Sequence, residues 1–150
     1  MRIYADTSIF GGAFDAEFNE PSRAFLDEAI AGAFRLVTSA VVQAELEAAP
    51  PKVRRLFERV LPSTEIVDVS AEALRLQRAY VKANIVSARW SDDALHVALA
   101  SAGGCGVIVS WNFRHIVHFQ KIPLYNAINE VNGYRPISIY SPREVISYED

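Results

Sequence analysis

Acidic side chains at three places in this sequence have the chemistry needed to bind a metal ion together. Asp6 follows a short apolar segment, Glu45 lies in Gln-Ala-Glu-Leu, and Asp92 and Asp93 stand side by side. Mg²⁺ and Mn²⁺ prefer oxygen ligands and accept a few carboxylates from a protein. Carboxylates that converge without a cation repel one another and raise each other's pKa values. Asp6, Glu45 and Asp93 are therefore candidate ligands of an ion that would activate water and neutralise phosphate charge.

Each of these residues also has a purely structural interpretation. Asp6 begins the sequence Asp-Thr-Ser, and these residue types commonly cap helices and stabilise turns. Glu45 suits an exposed helix position, and Asp92 and Asp93 suit the first turn of a helix, where they complement its dipole. Convergence of the three places in space is an inference from the fold, because spacing along the chain does not show it.

The elements that would position these residues alternate between strands and helices. We predict strands at residues 3–5, 34–38, 65–69, 107–110 and 136–140. We predict helices from residue 19 or 20 to 32, and at 40–48, 51–60, 92–102 and 123–132. A further long helix is expected after Ser70, carrying Leu74, Tyr80 and Val81, before a connection at residues 85–89. This alternation predicts an α/β domain of three layers with a mainly parallel sheet. Ligands of such sheets bind beyond the carboxyl ends of the strands, where Asp6 and the polar tip Ser110-Trp111-Asn112 would lie.

Finer features of the pattern concern loops and caps. Residues 11–18 are predicted to form a loop, and residues 111–115 a loop with a short helix. Ser39, Ser70 and Ser91 each precede a predicted helix and are expected to act as N-caps.

Composition indicates one globular domain over residues 1–150. The chain is 51% hydrophobic and 22% charged, and it contains no repeat, linker or low-complexity tract. The single Cys105 excludes an internal disulfide and a cysteine-rich zinc site. No apolar run approaches the roughly 20 residues that cross a bilayer, and no signal segment is visible. We therefore expect a cytoplasmic protein without a membrane partner.

The charge pattern leaves nucleic-acid binding open. The formal net charge of −3 is not typical of a nucleic-acid binder. It does not exclude one, because the carboxylates that bind metal ions in an enzyme themselves make its net charge more negative. Lys52, Arg54, Arg55 and Arg59 form a basic helix surface, which we interpret as a solvated face, with phosphate contact as the alternative.

Four motifs, in order, resemble those of the PIN-domain ribonucleases, especially the VapC-type toxin of toxin–antitoxin pairs. They are Tyr-Ala-Asp-Thr-Ser-Ile-Phe at 4–10, Ser-Ala-Val-Val-Gln-Ala-Glu-Leu at 39–46, Asp-Asp-Ala-Leu-His-Val-Ala-Leu-Ala at 92–100 and Ile-Val-Ser-Trp-Asn-Phe-Arg-His-Ile at 108–116. Each motif is weak alone, but four in order are fairly specific. The resemblance implies an α/β/α sandwich on a parallel sheet of four or five strands.

The same resemblance implies a site and an activity. It maps the metal ligands onto Asp6, Glu45 and Asp93, because Asp93 matches the motif better than Asp92, which is left a supporting role. Asn112 stands where the family often has a fourth acidic residue. An amide oxygen can bind a metal or its water but adds no negative charge, so a second metal ion is in question. Ser8 and Ser110 resemble the hydroxyl residues that support such sites.

The implied activity is Mg²⁺- or Mn²⁺-dependent hydrolysis of single-stranded or loop RNA, by a homodimer that an antitoxin protein inhibits. Arg114 and His115 are candidates for substrate contact, and His96 is predicted to pack in the core. One alternative is a PIN-like module that binds RNA or protein without cutting. A haloacid-dehalogenase-like phosphatase is disfavoured, because Ser8 stands where that family needs a second Asp.

Overall fold

The fold is built on five parallel strands, seen in a computed structural model that describes residues 1–148. The strands are β1 (Arg2–Ala5), β2 (Arg35–Ser39), β3 (Thr64–Val67), β4 (Val107–Val109) and β5 (Ser138–Tyr140). Their order in the sheet is β3-β2-β1-β4-β5, and every neighbouring pair is parallel. The predicted α/β class and parallel sheet are confirmed, and the number of strands is five. Residues 149 and 150 of the predicted domain lie outside the described residues.

Helices connect the strands and cover the sheet. They are α1 (Thr7–Gly12), α2 (Asn19–Ile30), α3 (Ala40–Glu47), α4 (Pro51–Val60), α5 (Ala71–Lys82), α6 (Ser91–Ala102), α7 (Ile122–Val131) and α8 (Pro142–Val145), with short 3₁₀ turns at Leu61–Ser63 and Ala88–Trp90. Over residues 1–148, no helix has the length and apolar character that crossing a bilayer requires.

The core lies on both faces of the sheet, and β1 contributes to both. Alternate residues of a strand point to opposite faces. Tyr4 therefore joins the apolar cluster formed with α5, α6 and α7, whereas Ile3 and Ala5 join the cluster formed with α1 to α4. A strand buried on both faces must be apolar throughout, which explains the continuous run Ile-Tyr-Ala that precedes Asp6.

The strand order places one crevice at the centre of the sheet. From β1 the chain moves outward through β2 to β3, and then returns across β1 to form β4 and β5. In open α/β sheets, the point where the direction of winding reverses is where ligands bind, beyond the carboxyl ends of the strands. Here that point lies between β1, which Asp6 follows, and β4, which Ser110 follows.

The loop predicted at residues 11–18 is wrong at its start, because α1 extends to Gly12. The Asp6 side chain caps this short helix by accepting a hydrogen bond from the backbone N–H of Ser8. A Cβ atom at Gly12 would approach the Trp111 side chain to 2.7 Å. The glycine that suggested a loop is thus required by close packing of the helix end.

Two of the three predicted N-caps are confirmed. Ser39 and Ser70 each accept a backbone N–H with the side-chain oxygen, at 3.3 and 3.1 Å. Ser91 is not the N-cap of α6, because the 3₁₀ turn Ala88–Trp90 leads directly into the helix and Trp90 takes the cap position without a side-chain bond. The short helix predicted within residues 111–115 is also wrong, since these residues form turns.

Candidate metal centre at the carboxyl ends of the strands

Asp6 is a buried carboxylate with both oxygens hydrogen-bonded, and 4% of its surface is exposed. Oδ1 accepts from the Ser8 backbone N–H at 3.2 Å and from Ser8 Oγ at 2.5 Å. Oδ2 accepts from Ser110 Oγ at 2.6 Å. The two serines predicted to support the site thus both contact Asp6 directly. The capping interpretation of Asp6 is confirmed, because its side chain caps α1, and its role as a metal ligand stays a prediction.

The two serines also tie the loop after β4 to the loop after β1. Ser8 Oγ accepts from the Trp111 backbone N–H at 2.9 Å, and Ser110 Oγ accepts from the Asn112 backbone N–H at 2.9 Å. Each hydroxyl thus donates to Asp6 and accepts a backbone N–H of the loop after β4, so Ser8 and Ser110 both connect Asp6 to that loop. This arrangement fixes the orientation of the carboxylate before any ligand arrives.

Burial dominates the electrostatics of Asp6. Removal from water raises the pKa of the carboxyl, and the charge of His96 and the hydrogen bonds from Ser110 and Ser8 lower it again without cancelling the rise. The described residues include no lysine or arginine paired with Asp6. The ionised form is therefore costly in the protein alone, and a bound cation would stabilise it.

Glu45 is the second carboxylate at this edge, and His96 holds it. His96 Nε2 lies 2.9 Å from Glu45 Oε1, and its Nδ1 lies 2.9 Å from the Tyr4 hydroxyl. The Tyr4 hydroxyl in turn lies 2.8 Å from Ser39 Oγ. His96 is buried, as predicted, but it also orients a candidate ligand. Because this chain of contacts begins at a core tyrosine of β1, it fixes Glu45 relative to the centre of the sheet.

The charges of the three predicted ligands all act on His96. Burial lowers the pKa of His96, but the bond to Glu45 and the charges of Asp6, Glu45 and Asp93 outweigh it and raise the pKa. The bond from His96 correspondingly lowers the pKa of Glu45. The fold therefore brings three carboxylates, from the N-cap of α1 and from α3 and α6, within electrostatic range of a single buried imidazole.

Asp92 and Asp93 differ in orientation, although both lie in the first turn of α6. Asp93 is half-buried, and its charge acts on His96 and on the inward-facing rings of His115 and Tyr125. Asp92 is exposed. The preference for Asp93 as a candidate ligand is consistent with this placement, whereas Asp92 lies on the solvent side of the helix.

Asn112 uses its side chain in a turn. Its Oδ1 accepts from the His115 backbone N–H at 2.9 Å, which closes the loop after β4. The carbonyl oxygen retains a second lone pair, so this bond leaves one acceptor site. The structural interpretation of Asn112 as a turn residue is therefore confirmed, and its role at the metal stays a prediction.

Arg114 and His115 belong to a cluster around Trp90. The His115 ring stacks on Trp90 with centroids 4.9 Å apart and is buried, and its two ring nitrogens have no hydrogen-bond partner among residues 1–148. Arg114 is exposed, and its guanidinium carbon lies 4.9 Å from the centre of the Trp90 ring. Of the two residues predicted to contact substrate, Arg114 is the one open to solvent.

Sequence reasoning missed several partners of these residues. It did not connect Tyr4 or His96 to Glu45, and it assigned no role to Trp90 or Arg89. A tyrosine hydroxyl within an otherwise apolar strand was the available signal for the first network, since a buried hydroxyl needs a partner. No sequence signal could have found the Trp90 cluster, because its members come from separate parts of the chain.

Part of the basic run of α4 lines a groove together with Phe14 and Arg23. The cationic groups of Arg23 and Lys52 lie 4.9 and 5.2 Å from the centre of the Phe14 ring. With Arg55 and Arg59 these residues line a space of about 310 Å³. The surface is open to solvent, in keeping with the predicted solvated face.

The residues at the carboxyl ends of β1 and β4 fit a hard divalent cation. The available donors are carboxylate, amide and hydroxyl oxygens, which Mg²⁺ and Mn²⁺ prefer. Thr7 Oγ1 is buried beside Asp6 without a hydrogen bond of normal geometry among residues 1–148, and this hydroxyl acts on the Glu45 carboxyl to lower its pKa. In the described conformation of residues 1–148, no three His, Cys, Asp or Glu side chains are close enough to hold one ion between them.

Comparisons with known proteins agree with this architecture. The PIN domain family matches the chain over residues 3–116. Among solved structures, VapBC2 from Rickettsia felis, bound to a DNA fragment from its promoter, contains a chain of similar fold. The two chains are 20% identical, with a TM-score of 0.62 and with 94% of this chain and 98% of that chain covered. No curated protein matches.

Proposed function

The chain belongs to the PIN domain family, and on this basis we propose that it is a metal-dependent endoribonuclease acting on single-stranded or loop RNA. The observation that carries the proposal is Asp6, a buried carboxylate held by two serine hydroxyls at the winding reversal of the sheet, without a lysine or arginine partner in residues 1–148. A charge with this burial is costly unless a cation joins it.

We assign Asp6, Glu45 and Asp93 as the residues that hold Mg²⁺ or Mn²⁺, with the free lone pair of Asn112 Oδ1 as a further donor. Such an ion supplies an activated water and neutralises negative charge on the phosphate. Ser8 and Ser110 keep the Asp6 oxygens directed at the crevice, and their hydrogen bonds remove the need to reorient the carboxylate on binding.

His96 positions the second ligand. By bonding Glu45 Oε1 and the Tyr4 hydroxyl at once, it limits the rotamers of an otherwise half-exposed glutamate. An imidazole in this position also balances part of the charge of three carboxylates before an ion binds. A ligand held in its binding geometry loses less side-chain entropy when the metal arrives.

The wider role is proposed from the family and from the fold likeness to VapBC2. We propose that the protein is a toxin of the VapC type, acts in the cytoplasm as a homodimer, and is inhibited by an antitoxin protein. The similar chain is part of a complex named VapBC2, and this supports an antitoxin as the partner class.

A binding module that does not cut RNA is the second candidate. Asn112 favours it, because an amide at this position contributes no negative charge and is already engaged in the turn with His115. The two candidates differ in turnover, so the same experiment separates them.

The test compares the wild type with Asp6→Asn and Asp68→Asn on a mixed, end-labelled single-stranded RNA pool. Asp68 is the matched control. Like Asp6, it follows the carboxyl end of a strand, but that strand is β3 at the edge of the sheet, and Asp68 is exposed. With Mn²⁺ or Mg²⁺ we expect Asp6→Asn to lose about 100-fold or more of the cleavage rate, since it removes a ligand charge. Asp68→Asn and the wild type should cleave equally, and EDTA should stop both.

The folded state of Asp6→Asn is checked by thermal unfolding in EDTA. Burial raises the pKa of Asp6, so the ionised carboxylate destabilises the folded state above that pKa. Replacing it by a neutral amide should keep or raise the midpoint temperature. Wild-type cleavage by Asp6→Asn would refute the assignment of Asp6, and metal and RNA binding by all three proteins without turnover would favour the binding module.

A further inference from the structure

An exposed pair of arginines shares one tryptophan beside the candidate metal centre. The guanidinium carbons of Arg89 and Arg114 lie 5.0 and 4.9 Å from the centre of the Trp90 ring. Since both carbons lie this close to the same ring centre, the two guanidinium groups are neighbours on the surface. The buried His115 ring stacks on the same indole at an interplanar angle of 29° and so helps to hold Trp90, and both arginines are exposed.

Neither arginine is neutralised by another side chain. The ion pairs found among residues 1–148 do not include Arg89 or Arg114. Contact with an aromatic face attracts a guanidinium only weakly at an exposed site, and it leaves the N–H edge of the guanidinium free. That edge matches a phosphate group, which accepts two parallel hydrogen bonds.

The location of the pair connects it to the proposed reaction. Trp90 is the N-cap of α6, which carries Asp93 in its first turn. On the other side, the backbone N–H of His115 binds Asn112. The arginines thus border the candidate metal centre at both α6 and the loop after β4.

The local charge also favours a polyanion here. Arg114, Lys121 and His118 all lie close enough to His115 to act on its ring electrostatically, in opposition to the charge of Asp93. The chain as a whole is acidic, with a formal net charge of −3, and the candidate ligands are acidic too. An RNA strand therefore needs a local cationic contact to approach the carboxylates, and this rim supplies one.

We infer that Arg89 and Arg114, held by Trp90, bind the phosphate backbone of single-stranded RNA next to the candidate metal centre. The inference rests on the proposed function, because the backbone it names is that of the proposed substrate. Contacts of this kind read the charge of the strand and carry no base preference. The two guanidiniums can engage one phosphate together or two consecutive phosphates.

The test measures RNA binding separately from cleavage. Arg89→Gln, Arg114→Gln, the double variant and Trp90→Leu are made in the Asp6→Asn background, and binding of a fluorescent single-stranded RNA is followed by anisotropy over a series of salt concentrations. Arg35→Gln is the matched control, because Arg35 is also exposed but lies at the start of β2, at the amino ends of the strands and so away from the candidate metal centre.

Each single variant should bind about tenfold more weakly at low salt, as expected for the loss of a charge-assisted hydrogen bond. The slope of log affinity against log salt should decrease by about 0.7 for each phosphate contact removed. Trp90→Leu should lose affinity through disordering of both arginines. Arg89→Lys and Arg114→Lys should retain most of the salt slope, because the charge remains. Arg35→Gln should change neither quantity.

Equal affinity and equal salt slope in the double variant and the Arg35→Gln control would overturn the inference, and so would failure of the Asp6→Asn parent to bind RNA. The same arginine substitutions are then placed in the wild type for cleavage assays. Cleavage without any effect of the arginines would leave the nuclease standing and remove this binding site. Loss of binding in the arginine variants of a protein that never cleaves would support the site and refute the nuclease.

Discussion

The charged residues at the two ends of β1 differ in their partners and in their burial. At its start, Arg2 forms an ion pair with Glu65 of β3 and donates to the Gly103 carbonyl at 2.6 Å, and about a third of each side chain in the pair is exposed. Beyond its end, Asp6 is buried and hydrogen-bonded to hydroxyls. Arg2 is thus paired with an opposite charge, whereas the hydrogen-bond donors to Asp6 are neutral.

The difference separates residues that serve stability from residues that serve a ligand. An ion pair near the surface contributes little, about 0–1 kcal/mol, and it needs nothing from outside the protein. A buried carboxylate among further carboxylates costs free energy in the protein alone. If the end of β1 is a metal centre, substitutions there should change cleavage and metal binding, and substitutions at the start of β1 should not.

The strongest contrast after Asp6 itself is expected within the pair at the start of α6. Asp93→Asn should lower the cleavage rate about 100-fold, because it removes a half-buried charge that faces His96. Asp92→Asn, an identical change one residue away on the exposed side, should stay within about twofold of the wild type, as exposed positions usually do. The measurement is the cleavage rate of each variant at saturating Mn²⁺. A larger loss of rate in Asp92→Asn than in Asp93→Asn would assign Asp92 as the ligand instead.

Removing His96 should have an intermediate effect through Glu45. His96→Leu leaves Glu45 without its positioning partner and should weaken Mn²⁺ binding about 10- to 100-fold by calorimetry. It should also lower the free energy of unfolding by about 1–3 kcal/mol, because the buried Tyr4 hydroxyl loses one partner.

His96→Gln serves as the control for that change, since it can still donate to Glu45. It should recover part of the metal affinity. Undiminished Mn²⁺ affinity in His96→Leu would show that the imidazole acts on stability alone.

A smaller change in metal affinity is expected at Asn112, the position where the family often has an acidic residue. Asn112→Asp can still accept from the His115 backbone N–H, so the turn should persist, while one negative charge is added. Because ligand charge sets metal affinity, we expect Mn²⁺ to bind about tenfold more tightly by titration calorimetry. Asn112→Ala should lose the turn without this gain, and unchanged affinity in Asn112→Asp would place the residue away from the ion.

The smallest effect belongs to the start of β1. Glu65→Gln removes one charge of the ion pair with Arg2, and it should cost less than about 1 kcal/mol in chemical denaturation because the pair is partly solvated. Cleavage and Mn²⁺ affinity should equal those of the wild type. A loss of cleavage here would mean that charge at both ends of β1 supports the site, and the contrast would fail.

Much of the fold was predictable from sequence because periodicity and turn residues act locally. All five predicted strands lie within about two residues of their observed ends, and the caps at Ser39 and Ser70 follow from hydroxyls placed before apolar periodic segments. The errors arose where tertiary packing overrode a local signal. Position 12 is a glycine because Trp111 leaves no room for a Cβ atom at the end of α1, and Ser91 is displaced from the cap by the turn at Ala88–Trp90.

By itself, the sequence determined the layered α/β architecture and the identity of the acidic residues, since both depend on residue type and short-range pattern. The tertiary structure decided the rest. It set the strand order that places Asp6 opposite Ser110, the rotation of α6 that turns Asp93 inward and Asp92 outward, and the contact of Arg89 and Arg114 with Trp90. These depend on contacts between residues far apart in the chain, whose geometry is fixed only when the helices pack on the sheet.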